Sequence, residues 1–274
     1  MSVGVREVEA LLEQVSGIAF DMDGVLYRGE RPLPGAAELV AELQRRGIGF
    51  AMVTNNSTQT PLQYAAKLAR MGMTVAPEWI VTSAIATRDW LRLRYPVGTS
   101  VYVLGMAALE EAIFADGSFV AATREARVVV TGADFALTYE KLKIATLAIR
   151  DGADWIATNA DRTYPSEEGL IPGAGAIVAA IAAATDRTPF VIGKPEPAML
   201  LRAADRLGCP PSELLVIGDR LDTDVLAGKR AGARTALVLT GVSTRADLAG
   251  ADVLPDVVID DLRVLLQVLR ERSR

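Results

Sequence analysis

The sequence predicts an α/β protein, a doubly wound parallel-sheet core with a second α/β domain inserted into it. Three observations predict this class. Short apolar, β-branched runs alternate with longer amphipathic ones, as in strand–helix–strand units around a parallel sheet. The 274 residues exceed the needs of one simple sheet of this strand count, at roughly 100–200 residues per domain. The strands in the middle of the chain also form a βα series of their own.

Ile18-Ala19-Phe20-Asp21 is the first strand, 18–21. A helix over 35–46 ends at Gly47, and the apolar run 48–54 is the next strand. Thr60 before Pro61 reads as an N-cap followed by proline at the first helical position, which opens a helix over 61–71 that Gly72 follows. A helix at 84–94 leads to strands at 101–104 and 127–131, then a helix at 139–150 followed by Gly152. A strand at 155–158 precedes a helix at 174–185, whose apolar run 176–184 reads as buried. Strand 190–193, helix 197–207 with Gly208, strand 214–219 and helix 222–231 with Gly232 follow. Strands 235–240 and 257–260 complete the series. The core is expected at 1–82 and 189–274, and the inserted domain at 83–188.

Composition narrows the function. Half of the residues are hydrophobic, and the net charge of −5 includes no basic block, which disfavours a nucleic-acid surface. No apolar stretch reaches the roughly 18 residues that span a bilayer. Glu7, Glu9 and Glu13 stand where a signal peptide has a basic start and an apolar middle. The single cysteine, Cys209, excludes an intrachain disulfide and fits a reducing compartment, so a soluble cytoplasmic protein is expected. There is no histidine, hence no Ser-His-Asp triad, His-ligated zinc or phosphohistidine. Pro210, Pro211, Ser212 and Glu213 follow Cys209 without the arginine a cysteine-based phosphatase loop needs. Carboxylate, lysine, hydroxyl and metal chemistry remain.

Four segments carry that chemistry. Asp21 and Asp23 lie two apart, so in an extended strand both carboxylates share a face, while Gly24 lets the backbone turn. Paired carboxylates at a strand tip suit a divalent cation, because like charges resist joint ionisation without one. At Val53-Thr54-Asn55-Asn56-Ser57 an apolar strand ends in hydroxyl and amide groups, where a threonine hydroxyl and backbone N–H groups can hold phosphate oxygens. Lys194, in Ile192-Gly193-Lys194-Pro195-Glu196-Pro197, is pinned between a strand and a proline-started helix. It is not part of a P-loop, since no Ser or Thr follows it. The strand before Gly218-Asp219 places Asp219 at its tip, and Asp222 and Asp224 follow, either of them able to cap a helix. Taken alone, each segment also fits an ordinary turn, cap or surface group, although Asp219, beside Gly218 at a strand tip, fits it least. Together they all end at the carboxyl edge of a parallel sheet, where ligands bind near the switch in strand order.

In this order, Asp21-Met22-Asp23-Gly24-Val25-Leu26, the strand end at Thr54, Lys194 and Gly218-Asp219 with Thr223-Asp224 resemble the four motifs of the haloacid dehalogenase (HAD) superfamily. The resemblance covers nearly the whole chain. Val129-Val130-Thr131-Gly132, Tyr139-Glu140-Lys141-Leu142 and Ala157-Thr158-Asn159-Ala160-Asp161 are similar to the large α/β cap of the NagD-type branch. That branch includes nitrophenylphosphatases and phosphoglycolate, pyridoxal phosphate and nucleotide monophosphate phosphatases. The resemblance implies a Rossmann-like core and hydrolysis of small phosphate monoesters, of the phosphoglycolate, sugar, glycerol, nucleotide monophosphate or nitrophenyl phosphate type. Asp21 is then the nucleophile that becomes an aspartyl phosphate, and Asp23 the general acid and base. Mg2+ binds the Asp21 carboxylate, the Asp23 carbonyl and the Asp219 carboxylate. Thr54, the Asn55 backbone and Lys194 hold phosphoryl oxygens, and Asp224 orients Lys194 or a metal-bound water. The cap closes over the site to read the leaving group, with Asn159 and Asp161 facing substrate and Arg162 and Tyr164 beside them. It also implies a homodimer through the cap, a small phosphorylated metabolite as partner, and neither nucleic-acid polymer nor membrane.

A phospho-aspartate signalling or binding module with little turnover is the different-class alternative. Such receiver domains use the same groups on a similar sheet, but their accepting aspartate lies after a later strand and they need no inserted domain. Dehalogenation also uses an aspartate nucleophile, but that branch lacks a second carboxylate such as Asp23.

Overall fold

The computed structural model describes residues 3–166 and 168–272. Positions 1–2, 273–274 and 167 of the expected domain ranges therefore lie outside the described residues. The chain forms two compact units. One comprises Met1–Thr54, Pro61–Val81 and Lys194–Arg274, the other Asn55–Thr60 and Thr82–Gly193. The short segment 55–60, which the sequence pattern assigns to the core, thus groups with the inserted unit.

The first unit is built on a sheet in the order Val257–Ile259, Arg234–Val238, Leu214–Gly218, Gly17–Phe20, Gly49–Thr54 and Ile80–Thr82. The pairs from Val257–Ile259 through Gly49–Thr54 are parallel, with Phe20 level with both Ile217 and Met52. The chain starts in the middle, builds one side, and later builds the other. The switch in strand order therefore falls beside Gly17–Phe20, where ligand sites of open parallel sheets form.

Amphipathic helices cover this sheet. Ala36–Arg46 buries Ala36, Leu39, Val40 and Leu43, the i, i+3, i+4, i+7 stripe of a helix seated on a core, and Gly47 closes it at φ 66°. Gly208 and Gly232 close Ala198–Leu207 and Leu226–Ala231 in the same left-handed conformation. Phe20, Met22, Leu26, Leu68, Ile217 and Leu265 meet in one core, each such side chain contributing about 1.5–3 kcal/mol by burial.

The second unit has a parallel sheet in the order Phe190–Val191, Asp154–Ala157, Val128–Thr131, Thr99–Leu104 and Phe119–Ala121. Leu104, Val129, Ala145, Ile149, Trp155 and Ile181 form a core of its own. A hairpin, Thr163–Ser166 with Gly169–Pro172, stands apart from that sheet.

Several expectations need correction. The strand expected at 190–193 stops at Val191, and the one at 235–240 stops at Val238. Asp151 caps Tyr139–Arg150, and Gly152 follows it as expected, at φ 106°. Helix Ala174–Thr185 is not buried all round: it buries only Ala174, Ile177, Ile181 and Thr185. Its outward positions are largely alanine, which favours helix strongly and exposes little apolar surface. The helix expected at 222–231 begins as a π-helical turn, Leu221–Val225, before Leu226–Ala231. Among the described residues, no helix is long and apolar enough to cross a membrane.

Candidate active site

Strand Gly17–Phe20 ends one residue before Asp21, whose N–H still extends the ladder to the Ile217 carbonyl at 2.8 Å. The two motif aspartates thus lie past the strand and do not share its pleat. The backbone folds at once, with the Leu26 N–H donating to the Met22 carbonyl at 2.8 Å and Gly24 at φ 82°. Met22 is fully buried while Asp23 is exposed.

Lys194 organises the first unit's polar centre. Its Nζ donates to Asp21 Oδ1 at 2.5 Å, Asp224 Oδ1 at 2.6 Å and the Val53 carbonyl at 3.3 Å. An ammonium has three N–H donors to share among such partners. Lys194 is 4% exposed and Asp224 2%, so the lysine is a fixed charge. Burial pulls its pKa down, but Asp21 and Asp224 more than offset this and hold it above the ordinary lysine value.

Asp219 stands past strand Leu214–Gly218 and is 3% exposed. Its Oδ2 accepts the Val242 N–H at 2.7 Å. Glycines frame it: a Cβ on Gly24 would lie 2.6 Å from Asp219 Oδ2, and one on Gly241 would collide with that carboxylate. Asp224 Oδ2 accepts the Arg220 N–H at 3.1 Å, and a Cβ on Gly218 would collide with the Asp224 side chain.

One oxygen from each of Asp21, Asp219 and Asp224 lies within 4.8 Å of the others. The Asp23 carboxylate is outside that cluster. A single ammonium faces three carboxylates, so negative charge is in excess. Burial accordingly raises Asp21 well above the usual carboxylate range, against Lys194 and with Asp224 and Asp219. Asp219 is pushed up to about 7 by burial and then by Asp224. Clustered hard oxygen donors with surplus negative charge fit a divalent cation of the Mg2+ or Ca2+ type. Burial also raises Asp23, with Lys67 and Arg28 opposing.

Thr54 ends strand Gly49–Thr54 and is buried. The remaining expected residues lie in the second unit. Asn159 Nδ2 donates to the Asn55 carbonyl at 2.7 Å, and Asn55 Nδ2 donates to Asp161 Oδ2 at 3.1 Å. Tyr164 Oη accepts from Asn56 Nδ2 at 3.1 Å and meets Phe135 edge-on at 5.1 Å between ring centres; Arg162 is exposed. The Phe135–Tyr164 aromatic pair does not stand out in the sequence, because 29 positions separate its members. Lys67, Arg28 and the 241–243 loop around Asp219 also go unnoticed there, lacking motif spacing. Only the glycine after strand Arg234–Val238 hints at that loop.

Comparison with known proteins places the chain in a family. Residues 18–118 match the haloacid dehalogenase-like hydrolase model, and residues 191–265 match the HAD-hydrolase-like model. An acid sugar phosphatase of Staphylococcus aureus is 40% identical over 260 residues, covering 95% of this chain and all of that protein. The crystal structure of a 4-nitrophenylphosphatase from Thermotoga maritima is 37% identical with a TM-score of 0.87, covering 94% of this chain and 98% of the other. A glycerol phosphate phosphatase from Mycobacterium tuberculosis, solved in complex with calcium, is 35% identical with a TM-score of 0.85, covering 93% and 76%. With one family model matching residues 18–118, another matching 191–265, and relatives similar along nearly its full length, the chain belongs to the haloacid dehalogenase-like hydrolases, in their phosphatase branch.

Proposed function

We propose that this phosphatase hydrolyses small phosphate monoesters through an aspartyl phosphate on Asp21. The observation that carries the reading is the buried Lys194 ammonium held between Asp21 and Asp224, with Asp219 in the same cluster. The relatives' names support sugar and glycerol phosphates foremost; phosphoglycolate, nucleotide monophosphates and nitrophenyl phosphate belong to the same range.

Asp21 attacks phosphorus, and the bond to the leaving oxygen breaks as Asp23 gives that oxygen its proton. Asp23 then takes a proton from water, whose oxygen attacks phosphorus, and the bond to Asp21 breaks to release phosphate. The raised pKa of Asp23 suits a group that must hold a proton first and accept one later. Thr54, the Asn55 backbone and Lys194 take phosphoryl oxygens. Esterification of Asp21 removes its charge, so Lys194 keeps Asp224 as its anchor and turns the freed donor to phosphate. Mg2+, held by Asp21, Asp219 and the Asp23 carbonyl, would neutralise the surplus charge that otherwise keeps an anionic substrate away. Asp224, already bonded to Lys194, orients that lysine.

One positioned donor typically contributes about 3–4 kcal/mol, so several must act together. Asp21→Asn is expected to lower turnover by roughly 10⁴-fold or more while leaving the circular dichroism spectrum unchanged. Mg2+-dependent phosphate release from a panel of phosphorylated metabolites and nitrophenyl phosphate is the test. Wild-type turnover in metal-loaded Asp21→Asn would remove Asp21 as nucleophile. A cytoplasmic location and a homodimer through the inserted domain complete the proposal. The single cysteine supports the first and the family resemblance the second; light scattering that reads a monomer would remove the dimer.

A further inference from the structure

We propose that Asn159 and Ser83 are positioning residues for phosphate binding, acting through Asn55. The inference rests on the reading above, in which the Asn55 backbone takes a phosphoryl oxygen. Thr54 is the last core residue before the chain first passes into the inserted unit, at 55–60, and Lys194 is the first after its second passage there, at 82–193. These two proposed phosphate contacts therefore sit at chain crossings, next to Gly193 and to the third, Asn55.

The inserted unit locks those two neighbours together. The Asn55 carbonyl accepts from Ser83 Oγ at 2.5 Å and from Asn159 Nδ2 at 2.7 Å, which occupies both its lone pairs. The Asn55 side chain donates to both Asp161 oxygens, at 3.1 and 3.3 Å. The Asp161 N–H donates to Asn159 Oδ1 at 3.1 Å, closing the ring. Ser83 is fully buried and Asn159 is 4% exposed. Gly193 closes against the same group: its N–H donates to the Thr158 carbonyl at 2.8 Å, and a Cβ there would lie 2.8 Å from Asn55 Oδ1 and 2.9 Å from the Asn159 Cβ.

Fixing the carbonyl and side chain of Asn55 sets its ψ and χ angles. Holding Gly193 against it sets the point from which Lys194 leaves the inserted unit. The Asn159 carboxamide is engaged at both ends inside this lock, which assigns it to holding Asn55 and not to the leaving group. A fully satisfied buried network is rigid, and rigid placement is what a phosphate cradle requires, because a 1 Å displacement can cost about a hundredfold in rate.

Ser83→Ala is the cleanest variant. It removes one hydroxyl and leaves the Asn55 carbonyl its bond from Asn159. Asn159→Ala and the isosteric Asn159→Asp complete the set. Each would be measured with Mg2+ for kcat and KM on nitrophenyl phosphate and glycerol phosphate, for inhibition by inorganic phosphate, and for melting temperature. Asp21→Asn, run alongside, tests the underlying mechanism separately. The expected result is a rise of between about tenfold and a hundredfold in the inhibition constant for phosphate. An equal fractional loss of kcat/KM on both substrates should accompany it. A loss that differs between the two leaving groups with phosphate inhibition unchanged would make Asn159 a substrate contact and overturn the proposal. A lowered melting temperature with unchanged kinetics would make the lock merely structural and overturn it equally.

Discussion

Asp21 and Asp23 are two positions apart yet stand in opposite electrostatic settings. Asp21 touches a buried ammonium and shares its space with two other carboxylates. Asp23 is exposed as a residue, but its carboxylate is partly desolvated by surrounding protein, which raises its pKa against Lys67 and Arg28. Lys67 Nζ lies 4.2 Å from the centre of the Tyr27 ring and 3.6 Å from Glu30 Oε1, so its charge is held in place. Removing that charge disfavours the Asp23 carboxylate, and Asp23 keeps its proton to higher pH. With glycerol phosphate, whose leaving group needs a proton, Lys67→Gln should therefore shift the alkaline fall in kcat/KM upward in pH. Nitrophenyl phosphate, with a good leaving group, should show little change. A pH profile identical to wild type on glycerol phosphate would detach Lys67 from the acid step.

Where strand Leu214–Gly218 passes into the π-helical turn Leu221–Val225, a single missing side chain makes room for the site. A Cβ on Gly218 would collide with Asp224, the carboxylate that anchors Lys194. Gly218→Ala should displace Asp224, lower kcat/KM by about a hundredfold and lower the melting temperature; a variant matching wild type in rate would show that the turn absorbs a methyl group. That strand tip is also where the sequence was most legible. Strands buried on both faces appear as unbroken apolar runs, so 48–54 and 257–260 anticipate Gly49–Thr54 and Val257–Ile259 closely, and a charged residue just past such a run stands out, as Asp21, Lys194 and Asp219 do. Strands Ile80–Thr82 and Phe119–Ala121 are three residues long, too short for any period. Hairpin Thr163–Ser166 with Gly169–Pro172 has no buried residue among its described positions and hence no core-facing stripe. Helix Ala107–Phe114 is apolar beyond one face and lacks a side-chain cap. The bonds holding Asn55 span 28 and 104 positions, and only the folded chain brings such partners together.

Across the whole molecule, the two units have separate hydrophobic cores, while the carboxylate cluster belongs to the first unit alone. Proton and cation should therefore each stabilise it, in competition and at opposite ends of the pH range. Asp219 is pushed up to about 7 by burial, above the roughly 3.9 of an unfolded aspartate. The folded chain holds that proton more tightly, so the stabilisation is full below about pH 4 and is lost as pH rises through about 7. Asp21, raised by burial, works in the same direction. Without metal, the chain should thus weaken between pH 5 and pH 8. A divalent cation needs the ionised carboxylates, so protons displace it at pH 5. At pH 8 and a hundred times its dissociation constant it adds about 2.7 kcal/mol, which at about 2–4 °C per kcal/mol is a rise of several degrees in Tm. Calorimetry at both pH values, with EDTA and with Mg2+, should show a large Mg2+ shift at pH 8 and almost none at pH 5. Asp219→Asn should lose both the Mg2+ shift and much of the apo pH dependence. Equal Mg2+ shifts at the two pH values, or a full shift retained in Asp219→Asn, would place the stabilising cation away from this cluster.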